Sequence, residues 1–430
     1  MKQQELELNK ISVVSTDTLL EKLLDNSVLL LFVVICGIGL IYANQPSSYI
    51  VEQVVTRFFR NIILVLSLLV PVWAGMGLNF SIVVGAMSAQ AALIVVLNYS
   101  MTGLPGIFTA MCLSAPLALI LGMMTGKLFN KTKGQEMITG MILGYFANGV
   151  YQLIFMYICG TIIPIRNKAI ALGEGIGING IVTFDKSLNG ALDKVLKLPL
   201  DKFLWCVIAG LAVLYIIKTA MAFKTRTEVR KNVLHIAVIV IGAILLYWSK
   251  QNSKSFVMMC MFTRVPVMTV CLSVLVGLFI AFLATTKLGN DIKTVGQSMM
   301  IASAAGIDVE KTRIIAIMIS TVIAALGQVV YLQNMGTLTT YSAADQIGTF
   351  SVAALLVGGA SIKKANIGHA ILGTILFHIM FVVAPIAGKN ISGDAQIGEY
   401  FRVFVSYAVI AVSLALHAWK TSFAEKCSKK

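Results

Sequence analysis

Charge is scarce in this chain. Only 12% of its 430 residues are Asp, Glu, Lys or Arg, while 58% are hydrophobic, against about 25% charged in an average soluble domain. With a mean hydropathy of +0.87, this composition excludes a soluble globular protein and indicates a polytopic membrane protein. All 19 acidic residues fall outside the long apolar runs, with Glu136 and Asp345 at their edges. An ion-coupled carrier holds its ion at mid-membrane with ionisable or specialised groups, so their absence argues against that class. Histidine is equally sparse. None of His235, His369, His378 and His417 has a carboxylate within one helical turn, and a packing or interfacial role is expected for each.

Other signatures are missing too. The seven cysteines are scattered and form no CxxC pair, which argues against a disulfide or metal framework. Gly122-Met-Met-Thr-Gly126-Lys127 resembles a nucleotide-binding Walker A loop, but it is one residue short, and Leu128 stands where Ser or Thr would meet magnesium. It reads instead as the end of a membrane helix with a snorkelling lysine. No Ser/His/Asp or HExxH arrangement suggests an enzyme, so if ATP supplies the energy its site belongs to another chain. A formal charge of +15 would suit nucleic acid only on the basic face of a soluble domain, and none is present. Eight prolines and 35 glycines fit helices interrupted at chosen places better than a β-barrel.

What is present is a series of twelve apolar runs, near 28–43, 61–76, 80–98, 104–124, 137–160, 203–219, 233–249, 266–286, 313–332, 346–362, 366–386 and 400–418. Residues 1–27 lack a basic n-region, so the first run is expected to be a retained anchor. With both termini in the cytoplasm, every inside loop except the one at Gly77 carries Lys or Arg, as the positive-inside rule requires. Two segments are too polar and glycine-broken to be plain spans: Gly75 to Gln90 and Thr340 to Ser361. Irregular backbone survives at membrane depth only where protein or a water-filled cavity satisfies it, so both should face the interior. Their occurrence once in each half hints at an internal duplication.

Neutral polar residues carry what chemistry the spans offer. Asn79, Ser81, Gln90, Asn148 and Gln328 are the candidates for a solute pathway, with Ser88, Tyr145, Gln152, Tyr331 and Asn334 beside them. Amides and hydroxyls exchange hydrogen bonds with an uncharged, hydroxyl-rich solute. They also serve as interhelical glue, and Gly140 and Gly144 on the Asn148 helix point to close packing. The external loop from Ile163 to Lys202 is long enough to be functional. Within it Lys186 to Leu198 reads as an amphipathic helix ended by Pro199, lying on the bilayer surface or docking an external partner. Finally, Thr285 to Arg313 is a polar island between two apolar runs. Gln297 to Ala305 should form a short surface helix of about 14 Å, too short to span, with Gly306 stopping it and Asp308 capping the next.

At TKLGNDIKTVGQSMMIASAAGI (286–307) and SVAALLVGGASIKKANIGHAILGTIL (351–376) the chain resembles the membrane permease subunit of ABC importers of the ribose, nucleoside and branched-chain amino acid type. Gly358-Gly359-Ala360-Ser361, Gly368 and Gly373 stand as in that family, and GLNFSIVVGA (77–86) resembles its glycine-rich segment, with Asn79 in place of the usual Asp. The resemblance implies an all-α permease fold of about ten core transmembrane helices with two broken segments. The surplus becomes an inserted loop and helical hairpin at 163–250, between permease halves at 28–162 and 251–419, with a cytoplasmic N-terminal segment (1–27) and tail (420–430). It further implies no cofactor of its own, two ABC ATPase subunits, a second permease subunit in a homodimer or heterodimer, and an extracytoplasmic substrate-binding protein, in the inner membrane of a bacterium. Lys287, Gly289, Asn290, Gly296, Ala304, Ala305 and Gly306 would then contact the ATPase. The missing membrane charge favours a sugar or nucleoside as solute. A secondary transporter or a non-transport membrane scaffold remains the alternative.

Overall fold

A computed structural model describes residues 27–415 apart from 174–175, 186, 226–228, 363, 395, 406, 409 and 413–414. The N-terminal segment before Ser27, His417 and the tail from Lys420 therefore lie outside the described residues. Helices dominate: α1 (Ser27–Ala43), α2 (Ser47–Ser67), α3 (Leu69–Trp73), α4 (Ile82–Asn98), α5 (Gly103–Lys131) and α6 (Glu136–Leu153) form the first half. After α7 (Ala191–Val195), α8 (Leu200–Thr225), α9 (Val229–Asn252) and α10 (Lys254–Phe262) come α11 (Val267–Leu283), α12 (Lys287–Gln297), α13 (Met299–Ala304), α14 (Val309–Met335), α15 (Ala343–Val357) and α16 (Ile367–Ser392). Four three-residue strands, β1 (Ile181–Thr183), β2 (Lys197–Pro199), β3 (Arg264–Pro266) and β4 (Thr337–Thr339), make two antiparallel pairs, β1 with β4 and β2 with β3.

Among the described residues, seven helices are long and apolar enough to cross a membrane, or eight if α11 and α12, bent by 71°, count as one span. Three shorter apolar helices, Val28–Ala43, Ile82–Asn98 and Gln346–Val357, account for three more of the twelve runs. This is an all-α polytopic architecture.

α14 is the axis of the bundle. Asp308 caps its start by accepting from the Lys311 amide (3.0 Å), and Gly336 ends it at φ 69°. Its neighbours approach closely because they present small residues, the usual device where lipid removes any hydrophobic preference between helices. Gly122 and Gly126 of α5 meet the backbone at Met318 and Ile314, and Gly85 of α4 meets the Thr321 carbonyl. The Walker-like glycines are thus packing contacts. α4 is sheathed almost completely, with residues from Ile82 to Gln90 all buried, as its interrupted sequence requires.

The loop from Ile163 to Lys202 departs from the sequence reading. Lys186 lies outside the described residues, but the segment after it is not a surface helix ended by Pro199. It contains only the five-residue α7, and Lys197–Pro199 leaves as β2 to pair with Arg264–Pro266. Leu188, Ala191 and Leu192 are buried in the protein core rather than laid on lipid, because tertiary pairing replaced the amphipathic helix. The second pair, Ile181–Thr183 with Thr337–Thr339, fastens the loop to the far end of α14. Asp193, also buried, accepts from Asn334 (2.6 Å) and from the Thr269 hydroxyl. The Tyr341 hydroxyl donates to the Ile178 carbonyl at 2.7 Å. By contrast α8 and α9 stand at the periphery, with Val213, Ile216, Leu234, Ile241 and Trp248 exposed on the protein surface.

Candidate functional site

The polar segment between α11 and α14 is built from two helices, not one. Thr286 caps α12 by accepting from the Gly289 amide (3.1 Å), and α12 runs to Gln297. Ser298, extended at φ −159°, then breaks the chain and caps the six-residue α13 through the Ile301 amide. The expected helix from Gln297 to Ala305 is present as α13, while Gln297 itself ends α12, a helix the sequence reading did not anticipate; a serine that accepts from the amide three residues on starts a new helix. Gly306 ends α13 at φ 79° as expected.

The glycines singled out in this segment have physical tasks. A Cβ on Gly289 would lie 1.9 Å from the Leu283 carbonyl, so the sharp bend from α11 needs glycine. A Cβ on Gly296 would lie 2.0 Å from the Trp73 carbonyl, so α12 can rest directly on the end of α3. There Lys293 sits over the Trp73 ring (5.4 Å) and donates to the Ala284 carbonyl (2.7 Å). Lys287, Asn290, Ala304 and Ala305 are not buried, and Met300 and Ile301 project from α13 at 83% and 65% exposure. Both are bare apolar side chains on a six-residue helix that buries only Ala302.

The five pathway candidates fall into three places. Asn79 and Ser81 are buried in the irregular stretch before α4: Asn79 Oδ1 accepts from the Ser81 amide (3.0 Å) and hydroxyl, and its Nδ2 reaches Ser320 on α14 (3.4 Å). Gln90 and Gln328, 1% and 0% exposed, lie five residues past Gly85 on α4 and four past its neighbour Ala324 on α14. Gln90 Nε2 and both amide atoms of Gln328 find no partner among the described residues. Asn148 stands apart on α6, half-buried, accepting from Gln152 at 3.5 Å.

A cavity of about 560 Å³ opens where the two broken segments meet. Phe80 and Val83 from the first segment, Gln346, Gly348 and Thr349 from the second, Met137, Met141 and Tyr145 of α6, and Tyr407 line it. The segments touch, since a Cβ on Gly348 would lie 2.6 Å from Val83. Sequence reasoning flagged both segments and Tyr145 but missed Gln346, Thr349 and Tyr407. Only the first two had a signal, their place in the glycine-broken stretch. Asn79, Ser81, Gln90, Asn148 and Gln328 do not line this cavity. A second cavity of about 600 Å³ between α4, α5 and α6 is almost wholly apolar, with Met87, Leu121, Phe146 and Val150 in its walls.

The spans also hold more charge than the apolar runs suggested. α2 begins at Ser47, 14 residues before the expected run, and so carries Arg57 and Arg60 within the candidate span Ser47–Trp73. Arg57 faces the Phe381 ring at 5.4 Å; Arg60 lies over Tyr331 (5.0 Å) and donates to Asn334 (3.3 Å). Aromatic faces and an amide stabilise these cations where water is scarce. At the other end Arg313, fully buried, pairs with Glu136.

The helical bundle, with two glycine-broken segments meeting beside a partly polar cavity and the short helices α12 and α13 at one end, has the architecture of a multi-pass membrane protein. Over residues 50–414 the chain matches the family described as branched-chain amino acid transport system / permease component, and it belongs to that family of ABC-type permeases. Membership carries, in general, partnership with an ATPase and a solute-binding protein. Neither a curated relative nor a solved structure matches the chain.

Proposed function

We propose that this permease carries a small, neutral, hydroxyl-rich solute, a sugar or nucleoside, inward across the bacterial cytoplasmic membrane, driven by ATP hydrolysed on separate ATPase chains. The observation that carries this reading is the cavity at the meeting point of the two broken segments, whose polar lining of Gln346, Thr349, Tyr145 and Tyr407 is uncharged. Amides and hydroxyls of this kind recognise hydroxyl groups without retaining the solute by charge. The Nε2 of Gln90 and the amide of Gln328, without partners among the described residues, support a polar role deeper in the bundle, because an unsatisfied amide is costly at membrane depth. On this reading the segment from Lys287 to Gly306 is cytoplasmic and meets the ATPase through Met300 and Ile301, and both termini lie on the same side. The loop from Ile163 faces the solute-binding protein, and a second permease subunit completes the assembly.

A branched-chain amino acid is the second reading. The matched family's description favours it, and Arg57 and Arg60 within a span supply cations that a carboxylate would seek. The test is uptake by proteoliposomes holding the permease with its ATPase and binding protein. ATP-dependent uptake of a nucleoside or sugar, reduced about tenfold by Gln346→Ala, is expected. Uptake of leucine that is lost in Arg57→Gln would establish the second reading instead. Uptake that follows a proton or sodium gradient without ATP would overturn both.

A further inference from the structure

We infer that Arg313 is a positioning residue that ties the ATPase-facing segment to α6, the helix forming one wall of the 560 Å³ cavity, so that displacement of the segment reaches that wall. This rests on the import function proposed above.

The guanidinium sits at a junction of four chain segments. Arg313 lies in the second turn of α14, five residues after the cap Asp308, and is 0% exposed. Its Nη2 pairs with Glu136 in the first turn of α6 and lies 3.4 Å from the Phe129 carbonyl near the end of α5. Its Nη1 reaches the sulfur of Met299, the first residue of α13, at 3.5 Å. The second carboxylate oxygen of Glu136 accepts from the Gly134 amide at 3.0 Å, so both oxygens are held. Two further links cross the same seam: Asn130 donates to the Glu310 carbonyl (2.9 Å), and Lys133 pairs with the Glu310 carboxylate (3.2 Å). The latter pair is exposed and correspondingly weak.

Stability alone does not account for this arrangement. A buried ion pair adds little net stability over a well-packed apolar pair, because removing two charges from water costs about what their attraction returns. What it supplies is a fixed geometry, since a buried guanidinium that loses its carboxylate keeps its charge with only the Phe129 carbonyl and the Met299 sulfur to meet it. α6 has need of such a fixing. Its buried residues are only Glu136, Gly140, Gly144 and Tyr151, while its exposed face includes Ile142, Tyr145, Phe146 and Leu153. Met137, the neighbour of Glu136 in the chain, is itself a cavity wall, as are Met141 and Tyr145 further along α6. Movement of α13 thus has a short polar route through Met299, Arg313 and Glu136 to the cavity.

The test compares the wild-type complex with Glu136→Leu/Arg313→Met, which replaces the pair by apolar side chains, and with Glu136→Gln, which serves alone if the double variant does not fold. Uptake and ATP hydrolysis are measured together in proteoliposomes. In a cysteine-free background, spin labels at Ser303 on α13 and Ile142 on α6 report the distance between the two helices. Expected are a melting temperature close to wild type for the double variant, at least a fivefold fall in solute moved per ATP, and a broadened distance distribution. A wild-type transport ratio or an unbroadened distribution overturns the inference. A wild-type complex that hydrolyses ATP but imports nothing overturns the proposed function instead, and the label distances then decide the tie by themselves.

Discussion

At the scale of single residues, glycine and capping side chains explain much of what the chain does. Gly358 and Gly373 face each other across α15 and α16: a Cβ on Gly358 would lie 1.9 Å from the His369 carbonyl, and one on Gly373 would lie 1.9 Å from the Ala354 carbonyl. Gly358→Ala should therefore force the two helices apart and cost about 1–3 kcal/mol, the usual range for overpacking. Gly37→Ala, with nothing within 4 Å of the new methyl, should be neutral or slightly stabilising. Thermal unfolding in detergent would check the contrast; equal melting temperatures would show that the contact is slack. These glycines are visible in the sequence, and so is the family they resemble. Their reason is not, because a near-contact between two carbonyls and two α-carbons depends on how two distant helices cross.

At the scale of elements, local signals were read well where the chain acts alone and poorly where it acts with distant parts. Gly306 and Asp308 end and start helices as their chemistry predicts. Ser298 starts α13 by the same capping chemistry as Asp308, and the helix missed in this stretch is α12, whose sequence Lys287–Gln297 is polar and carries two glycines. Asp308→Ala should cost roughly 1 kcal/mol, as loss of an N-cap does, and should raise hydrogen exchange in the first turn of α14, beside Arg313. Unchanged exchange there would mean that the tie to Glu136 holds the turn without the cap. The segment after Lys186 failed as a predicted helix for the opposite reason. Its apolar spacing suits an amphipathic helix, but pairing with Arg264–Pro266 and burial beneath the far end of the bundle outweigh that local preference.

At the scale of the whole molecule, α14 is held by polar groups at each end, with Arg313 and Glu136 at one and Asn334 and Asp193 at the other. The loop between α6 and α8 is consequently a cover stitched onto the bundle, while α8 and α9 remain peripheral. Asp193→Ala would remove the acceptor of the Asn334 Nδ2 and leave the buried Thr269 hydroxyl without its partner, a loss of about 1–3 kcal/mol. It should also make the loop open to a protease added from the side opposite the polar segment. Cleavage no faster than in the wild type would show that the two strand pairs suffice to hold the cover.

The sequence by itself determined that the chain is a bundle of membrane helices, roughly where most of them lie, and that a polar segment separates α11 from α14; it did not show that α2 starts at Ser47 and takes Arg57 and Arg60 into a span. Composition, apolar run length and capping chemistry are local properties, and hydrocarbon leaves the backbone few other choices. Only the tertiary structure decided that the two interrupted segments meet around one cavity, that Gln346 and Thr349 line it while Asn79 and Ser81 brace the bundle beside it, and that Arg313 reaches Glu136. Residues so far apart in the chain become neighbours through helix crossings set by packing, and side-chain packing across the bundle leaves no period or motif in the sequence.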